Sequence, residues 1–399
     1  VVDAQADCGS TDGCLRGWWI MKIAVLGAGA IGSMFGGLIK YHQPELDVLL
    51  IARGEPGRRM PQSGGGVLQG PWGTRRVAVA VSLNPRDVAG ADWVVLTVKS
   101  QDTETALAVV GDRLNGARVV SIQNGLNQQV LRRYVRPDRL VLGVTATNMA
   151  ILEPGTVSYQ YDGITALGAA ADETPLDTVD EAVEVLGRSG LKVHACRDIV
   201  GLQYSKLAIN AVGYASVLSA SRLVADCLLY RRWRQTVAIP ILDECLAVIA
   251  QAGIRPTGTP GFRDAFSFRR LLSFVDHPLI RPAAAVVARA ICRRTPIIYS
   301  LQQDLMRGKT TEIDHLNGRF VQIAQQCGVQ AAYNAKVVEL THLLEGRRDR
   351  SFYTREEVIA AFAAIDPDSQ REAVQAAPFF PLIDMVNASE TIATPAQRS

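Results

Sequence analysis

Three glycines near the start of the chain, Gly27, Gly29 and Gly32, have a spacing suited to binding a diphosphate. They form the pattern G-x-G-x-x-G, with Ala30 and Ile31 between the second and third glycines. The first glycine makes a tight turn, the second lets a ligand approach the backbone, and the third lets helix and strand pack closely. Backbone amides at the start of the following helix favour a dinucleotide pyrophosphate. The alternative is a glycine-rich turn that binds no ligand.

One arginine indicates which dinucleotide is bound. The apolar run V-L-L-I-A ends at Arg53, which Gly54 follows. An acidic side chain at this strand end would hold the 2′-hydroxyl of NAD, whereas a guanidinium binds a 2′-phosphate through charge-assisted hydrogen bonds. Arg53 therefore favours NADP(H), and Arg58 and Arg59 are further candidates for holding the phosphate. Glu55 favours NAD instead, and a surface arginine without a ligand is the remaining alternative.

Polar side chains follow two further apolar runs. Lys99 follows W-V-V-L-T-V, and Asn124 follows V-V-S-I-Q. Ligands of parallel sheets bind at the carboxyl ends of the strands. The lysine is therefore a candidate for contacting the cofactor phosphates or ribose, and the asparagine for contacting the nicotinamide ribose or a substrate carbonyl. Either residue type is also common at strand ends without such a role.

The second half of the chain contributes a further set of candidates. Lys206 and Asn210 lie four residues apart in Q-Y-S-K-L-A-I-N and share one helix face. A lysine at a protein-lined cleft is costly unless it is paired or functional; the alternative is a lysine that extends from a helix end to solvent. Ser300 and Glu312 lie in S-L-Q-Q-D…T-E-I-D-H-L-N-G. Glu312 is predicted early in a helix, where a carboxylate is stabilised even without a catalytic role.

The elements that must position these residues change in type along the chain. Apolar strand-like runs alternate with helical patterns up to about residue 198, which predicts a parallel, doubly wound α/β sheet of the Rossmann type. Apolar spacing then becomes helical, and we expect an all-helical domain with the site in the cleft. The predicted divisions are an extension over 1–20, an NADP-binding domain over 21–197, a helical substrate domain over 198–349 and a partly flexible extension over 350–399.

Several segments carry more specific expectations. A third strand is predicted at 77–81, and extended chain is predicted over 145–161 with a turn at Pro154 and Gly155. The proline-rich stretch 257–296 is predicted to be a loop with short helices near the site. A last helix is predicted over 351–364.

Composition excludes several classes of protein. The chain has 399 residues, 48% of them hydrophobic, and a net charge of only +3, which argues for a globular protein and against dedicated nucleic-acid binding. Seven cysteines without a C-x-x-C pair indicate reduced thiols in the cytoplasm. Five scattered histidines form no metal-ligand pattern. We therefore expect no metal. We also expect no membrane span, because no run of 18 apolar residues occurs.

Taken together, five motifs resemble the ketopantoate reductase (2-dehydropantoate 2-reductase) family. In chain order they are G-A-G-A-I-G, V-K-S-Q-D-T, Q-N-G, K-L-A-I-N and S-L-Q-Q-D…T-E-I-D-H-L-N-G, from about residue 21 to 345. The resemblance implies a small-molecule 2-oxo acid as substrate. It implies NADPH-dependent reduction of 2-dehydropantoate to (R)-pantoate, a step towards pantothenate and coenzyme A.

The resemblance also implies roles for single residues. Lys206 corresponds to the general acid that protonates the carbonyl oxygen, and Glu312 to the acidic residue that binds the substrate hydroxyl and supports catalysis. The other matched positions contact substrate or cofactor, namely Asn124, Asn210 and Ser300 for the substrate and Arg53, Lys99 and Asn124 for the cofactor.

Two departures from the family pattern keep alternatives open. Tyr214 stands where the family commonly has a second asparagine, and a phenol lacks the paired donor and acceptor of an amide. The span between Lys206 and Ser300 is also longer than in compact members of the family, and residues 350–399 have no obvious counterpart in the family. The alternatives are a reductase of another 2-oxo acid or an imine, or a non-catalytic NADP-binding sensor. A homodimer is one option for assembly.

Overall fold

The structure is a computed structural model that describes residues 20–54, 58, 66–153, 155–294 and 299–366. Strands in this part of the chain are β1 (Lys22–Leu26), β2 (Asp47–Ile51), β3 (Gly66–Gly70), β4 (Gly73–Val77), β5 (Ala80–Ser82), β6 (Trp93–Leu96), β7 (Arg118–Ser121), β8 (Leu140–Thr145), β9 (Asn148–Glu153), β10 (Thr156–Tyr161), β11 (Thr165–Ala169) and β12 (Val193–Ala195).

Helices in the same residues are α1 (Ala30–His42), α2 (Thr103–Val110), α3 (Gln128–Leu131), α4 (Leu176–Gly187), α5 (Ile199–Val217), α6 (Leu223–Leu229), α7 (Arg231–Trp233), α8 (Ile239–Gln251), α9 (Ala265–Phe274), α10 (Arg281–Arg294), α11 (Ser300–Met306), α12 (Asn317–Gln326), α13 (Ala332–Glu345) and α14 (Arg355–Ala363). A π-helical turn, Arg234–Ala238, joins α7 to α8.

An eight-stranded sheet forms the first half, in the order β12-β11-β8-β7-β6-β1-β2-β5. All neighbours are parallel except β8 and β11, which are antiparallel. The central strands are continuous apolar runs, as in the fully buried W-V-V-L of β6, because helices cover both faces. One core packs α1 and α4 on the sheet, and the other packs α2 and α3 on the opposite face. The predicted doubly wound fold is confirmed.

A small second sheet was missed at the sequence level. It has the order β4-β3-β10-β9, and it contains the hairpin β3–β4. The third strand predicted at 77–81 is wrong, because residue 77 ends β4 and the short strand β5 begins at residue 80. Strand β4, G-T-R-R-V, is mostly exposed and therefore has no apolar run to find. The extended chain over 145–161 is confirmed on either side of Pro154, which lies outside the described residues.

Helices make up the second half, and α5 is its centre. Asp198 caps this helix by accepting a hydrogen bond from the amide of Gly201 at 2.8 Å. Most of its 19 residues are buried, and α8, α9, α11, α12 and α13 contact it. A helix buried on nearly every side lacks a clear polar face, yet it holds any polar residue it carries in a defined place.

The segment 257–296 is more regular than predicted. It contains the 10-residue α9 and the 14-residue α10, so the expectation of a loop with short helices is corrected. Pro282 lies in the first turn of α10, where proline does not interrupt a helix. The predicted helix over 351–364 is confirmed as α14, whose cap at Thr354 forms a capping box with Glu357.

The terminal extensions predicted over 1–20 and 350–399 lie largely outside the described residues. Within the described ranges, no helix combines the length and the apolar character needed to cross a membrane. The described histidine, cysteine, aspartate and glutamate side chains form no group of three or more that suits a metal ion.

Candidate active site

A cavity of about 460 Å³ lies where the carboxyl ends of the sheet strands meet the helical half. Its walls include residues from both halves of the chain. The residues predicted from the sequence that line it are Gly29, Ala30, Ile31, Lys99, Asn124, Lys206, Asn210, Ser300 and Glu312. Motifs separated by almost 300 positions in the chain therefore meet in one space.

The glycine turn between β1 and α1 is shaped for a ligand. Gly27 has a φ of +112°, and a Cβ atom there would lie 2.6 Å from the amide nitrogen of Val98. A Cβ atom at Gly32 would lie 2.3 Å from the carbonyl oxygen of Gly27. At Gly29, by contrast, a Cβ atom would meet nothing within 4 Å. Two glycines thus fix the turn, and the third leaves open space at the N-terminus of α1, which has no side-chain cap.

Arg53 follows β2, as predicted, but its guanidinium is already paired. It forms an ion pair with the carboxylate of Asp102, just beyond Lys99 in the chain. The arginine side chain is 78% exposed, so it can reach a second anion as well. Of the two further phosphate candidates, Arg58 is exposed and Arg59 lies outside the described residues, as does Glu55, the residue that favours NAD. The preference for NADP(H) therefore stays a prediction.

Lys206 reaches from α5 to the end of the sheet. Its ammonium Nζ donates a hydrogen bond to Oδ1 of Asn124 at 2.6 Å. Burial lowers the pKa of Lys206 to about 8, and the nearby Glu312 carboxylate opposes part of that effect. The alternative of a lysine extending to solvent is wrong, because this side chain is held inside the cavity.

Glu312 is 7% exposed, and the sheet half of the protein holds its carboxylate. Its Oε1 accepts a hydrogen bond from the backbone amide of Ser100 at 2.8 Å. Burial raises the pKa of Glu312, while the Ser100 amide and the Lys99 ammonium act in the opposite direction. The expected helix does not begin here. Glu312 precedes a short 3₁₀ turn, Ile313–His315, and Leu316, with φ −110° and ψ −97°, separates that turn from α12.

Four consecutive residues after β6 join these groups together. The hydroxyl of Thr97 donates to the carbonyl of Gly27 at 2.6 Å. The carbonyl of Val98 accepts a hydrogen bond from the side-chain amide of Gln123 at 2.7 Å. Lys99 pairs with Asp304 on α11 at 2.5 Å. Ser100 holds Glu312 with its amide and donates from its hydroxyl to the carbonyl of Asn124 at 2.6 Å. We call residues 97–100 the bridging segment.

Asn210 and Ser300 complete the polar lining. Asn210 lies one turn after Lys206 on α5, and its amide donates to the hydroxyl of Tyr214 at 3.4 Å. Ser300 is the exposed first residue of α11. Both residues line the cavity that contains Lys206. The four-residue spacing predicts this for Asn210, and the family resemblance implies it for Ser300.

Two family models match the chain. The model described as ketopantoate reductase PanE/ApbA matches residues 23–172, and the model of the C-terminal part of the same family matches residues 198–345. Together they cover most of the chain and both walls of the cavity. The chain belongs to the ketopantoate reductase family. It is accordingly an oxidoreductase.

Several curated relatives of this family member are named 2-dehydropantoate 2-reductase. The chain is 28% identical to a 2-dehydropantoate 2-reductase of Pyrococcus horikoshii, over 79% of this chain and 94% of the relative. It is 27% identical to the enzyme of that name from Archaeoglobus fulgidus, over 82% of this chain and 98% of the relative.

Solved structures share the fold of this ketopantoate reductase family member. A PanE/ApbA family ketopantoate reductase from Ralstonia eutropha aligns with a TM-score of 0.63 at 25% identity, covering 82% of this chain and 98% of the other. A D-mandelate dehydrogenase in complex with NADH and anilino(oxo)acetate aligns with a TM-score of 0.67 at 21% identity and the same coverage.

Sequence reasoning missed several residues that line the same cavity in this family member. Tyr299 and Phe262 contribute aromatic rings, and Arg307 and Lys309 contribute positive charge. The positioning role of the Ser100 amide was also missed, because a backbone group has no signal in the residue type. Arg307 was detectable, since it lies seven residues after Ser300 in the same motif region.

Proposed function

We propose that this protein reduces a 2-oxo acid to the 2-hydroxy acid with NADPH. The names of its relatives make 2-dehydropantoate, reduced to (R)-pantoate, the first substrate to test. The observation that carries the proposal is the hydrogen-bonded, partly buried Lys206 beside Asn124, in the same cavity as the open glycine turn. A cation held at a strand end, next to a dinucleotide-shaped turn, is the arrangement that reduction of a carbonyl needs.

The residues present fit a nicotinamide dinucleotide. Gly29 leaves room for a pyrophosphate at the N-terminus of α1, with Ala30 and Ile31 supplying first-turn amides. Lys99 lines the cavity beside this turn and is suited to a phosphate or ribose. Arg53 is suited to a 2′-phosphate. When bound, the cofactor supplies the hydride that adds to the oxo carbon.

Lys206 has the central task in the proposed reaction. As the oxo carbon is reduced, negative charge grows on its oxygen, and the ammonium of Lys206 stabilises that charge and donates a proton to it. The overall change consumes one 2-oxo acid, one NADPH and one proton and yields the 2-hydroxy acid and NADP⁺. Asn124 orients the ammonium through the 2.6 Å hydrogen bond.

Three further groups serve the remainder of the substrate. The hydroxyl of Ser300 and the amide of Asn210 are candidates for binding the substrate carboxylate, since both line the cavity and can donate hydrogen bonds. Glu312 keeps the ammonium of Lys206 charged through its nearby negative charge. The carboxylate of Glu312 can also accept a hydrogen bond from a substrate hydroxyl.

The test is a steady-state assay of NADPH oxidation with 2-dehydropantoate and a panel of other 2-oxo acids. Lys206→Ala should reduce kcat by about 10²–10³-fold or more, with NADPH binding nearly unchanged. Lys336→Ala is the matched control, since Lys336 pairs with Glu339 on the surface of α13. NADPH binding without turnover of any acid in the panel would instead favour the non-catalytic sensor.

A second candidate is reduction of another 2-oxo acid or an imine on the same fold. Tyr214 favours it, because a buried phenol lines the cavity one turn beyond Asn210. The same substrate panel separates the two candidates.

A further inference from the structure

Two tyrosines form a packed corner in the wall of the cavity. The rings of Tyr214 on α5 and Tyr299, just before α11, have centroids 6.2 Å apart at an interplanar angle of 73°. This is the edge-to-face arrangement that aromatic rings prefer. Both side chains line the cavity that contains Lys206 and Asn210, and Phe262 adds a third aromatic ring to its lining. We call Tyr214 and Tyr299 the tyrosine corner.

A glycine builds the seat of this corner. A Cβ atom at Gly213 would lie 3.2 Å from both Cζ and Oη of Tyr299 and 3.3 Å from Cε1. A side chain at position 213 would therefore require Tyr299 to shift by a few tenths of an ångström from its place against α5. Gly213 has no other structural demand of this kind, since its φ is that of an ordinary helical residue. The corner is thus held in place rather than left to side-chain rotation.

The hydroxyl groups of the tyrosine corner both have contacts within the protein. Tyr299 has its hydroxyl end against Gly213, and burial, followed by the neighbouring Cys227 and Asp226 groups, raises its pKa. The hydroxyl of Tyr214 accepts a hydrogen bond from Asn210, and burial together with the Glu312 carboxylate raises its pKa. Both phenols therefore stay protonated, and each residue lines the cavity as an uncharged aromatic side chain.

A 2-oxo acid has two polar groups, which need the polar side of the cavity, and a third substituent, which can contact the tyrosine corner. The oxo oxygen needs Lys206, and the carboxylate needs donors such as Ser300 and Asn210. The third group on the oxo carbon then meets the carbon surface of the corner. A ring at that position gains apolar burial and an edge-to-face contact, whereas a hydroxyl group loses water there without an amide's paired donor and acceptor.

Resting on the proposed reduction of a 2-oxo acid, we propose that the tyrosine corner selects acids with an aromatic ring on, or one methylene away from, the oxo carbon. The reaction is otherwise unchanged. A hydride from NADPH forms the new C–H bond, the electron pair of the C=O double bond takes a proton from Lys206, and NADPH leaves as NADP⁺.

The test compares kcat/KM, at saturating NADPH, for four acids. Phenylpyruvate and benzoylformate carry a ring, 2-oxoisovalerate is a small branched acid, and 2-dehydropantoate adds a hydroxymethyl group to that branched frame. We expect at least about a 10-fold advantage of one ring-bearing acid over 2-dehydropantoate, the size of one aromatic contact plus added apolar burial. A preference for 2-dehydropantoate would overturn the inference and leave the proposed reaction standing. Absence of turnover with every acid would overturn both.

Two variants of one position assign the selectivity to the ring. Tyr214→Phe keeps the carbon surface and should keep the preference for the ring-bearing acid within about threefold. Tyr214→Asn replaces the ring by an amide and should lower kcat/KM for that acid by about 10-fold or more while 2-dehydropantoate loses less. Equal losses for all acids in Tyr214→Asn, with unfolding temperature and NADPH affinity as in the parent, would contradict the assignment.

A substitution outside the cavity offers an independent measurement. Gly213→Ala adds a methyl group 3.2 Å from the hydroxyl end of Tyr299, so this cavity-lining ring must shift. KM should rise more for the ring-bearing acid than for 2-oxoisovalerate, because the displaced ring takes space that only the larger substituent uses. An equal rise for both acids would contradict a corner that contacts the third substituent.

Discussion

Burial of Lys206 has a direct consequence for the pH dependence of reduction. The proposed acid must carry its proton when the substrate binds, and burial brings the pKa of Lys206 to about 8. A solvated lysine titrates near pH 10.4, far above the range of an ordinary assay. We therefore expect kcat/KM for the 2-oxo acid substrate to be level below about pH 7 and to fall as the pH rises through 8.

The size of the fall follows from that pKa. With a pKa of 8, about 90% of the protein carries the proton at pH 7 and about 10% at pH 9. The rate constant should thus drop about tenfold across those two pH units. A lysine with its ordinary pKa would lose less than about 5% over the same interval.

Glu312 provides the directional control for this prediction. Its negative charge raises the pKa of Lys206 against the effect of burial. Glu312→Gln removes that charge, so the fall in kcat/KM should move to lower pH. The measurement is kcat/KM at saturating NADPH from pH 6 to 10, with the unfolding temperature followed at each pH. A profile that stays level to pH 10, or a fall that moves to higher pH in Glu312→Gln, would refute the assignment of Lys206 as the acid.

Three further predictions concern the cofactor and the groups that hold the site. Asp102→Asn frees the guanidinium of Arg53 and should tighten NADPH about two- to fivefold with little change for NADH, measured by fluorescence titration; equal changes would argue against a 2′-phosphate contact. Gly29→Ala should weaken NADPH binding at an unchanged unfolding temperature, whereas Gly32→Ala should lower both the affinity for NADPH and the unfolding temperature. Unaltered NADPH affinity in Gly29→Ala would place the pyrophosphate elsewhere. Ser100→Ala removes the hydroxyl that holds Asn124 and should lower kcat about two- to tenfold, and a change confined to NADPH affinity would contradict that role.

The features that the sequence predicted are those in which residue type and spacing carry the information. G-x-G-x-x-G, the buried runs of β1 and β6, and the four-residue spacing of Lys206 and Asn210 depend only on local geometry. The alternation of strands and helices then limits the sheet to few topologies, which is why the fold class could be predicted from the sequence.

The features that it missed depend on contacts between distant segments. The hairpin β3–β4 has little apolar pattern because β4 is exposed, and the pairing of β3 with β10 spans about 90 positions. The bond between Glu312 and the amide of Ser100 involves a backbone group 212 positions away. Glu312 was expected in a helix because its neighbours have helical spacing, yet a buried carboxylate that must reach the sheet half lies outside that regular geometry.

The bridging segment, residues 97–100, links two binding events that would otherwise be separate. It contacts the glycine turn through Thr97, and it contacts the helical half through Lys99 and Ser100. A ligand that orders one end of so short a segment reduces the freedom left to the other end. Cofactor and acid should therefore strengthen each other's binding by the same factor, because such a coupling free energy is reciprocal. An enzyme of this construction binds each ligand most tightly when the other is present, so its occupancy depends on both concentrations together.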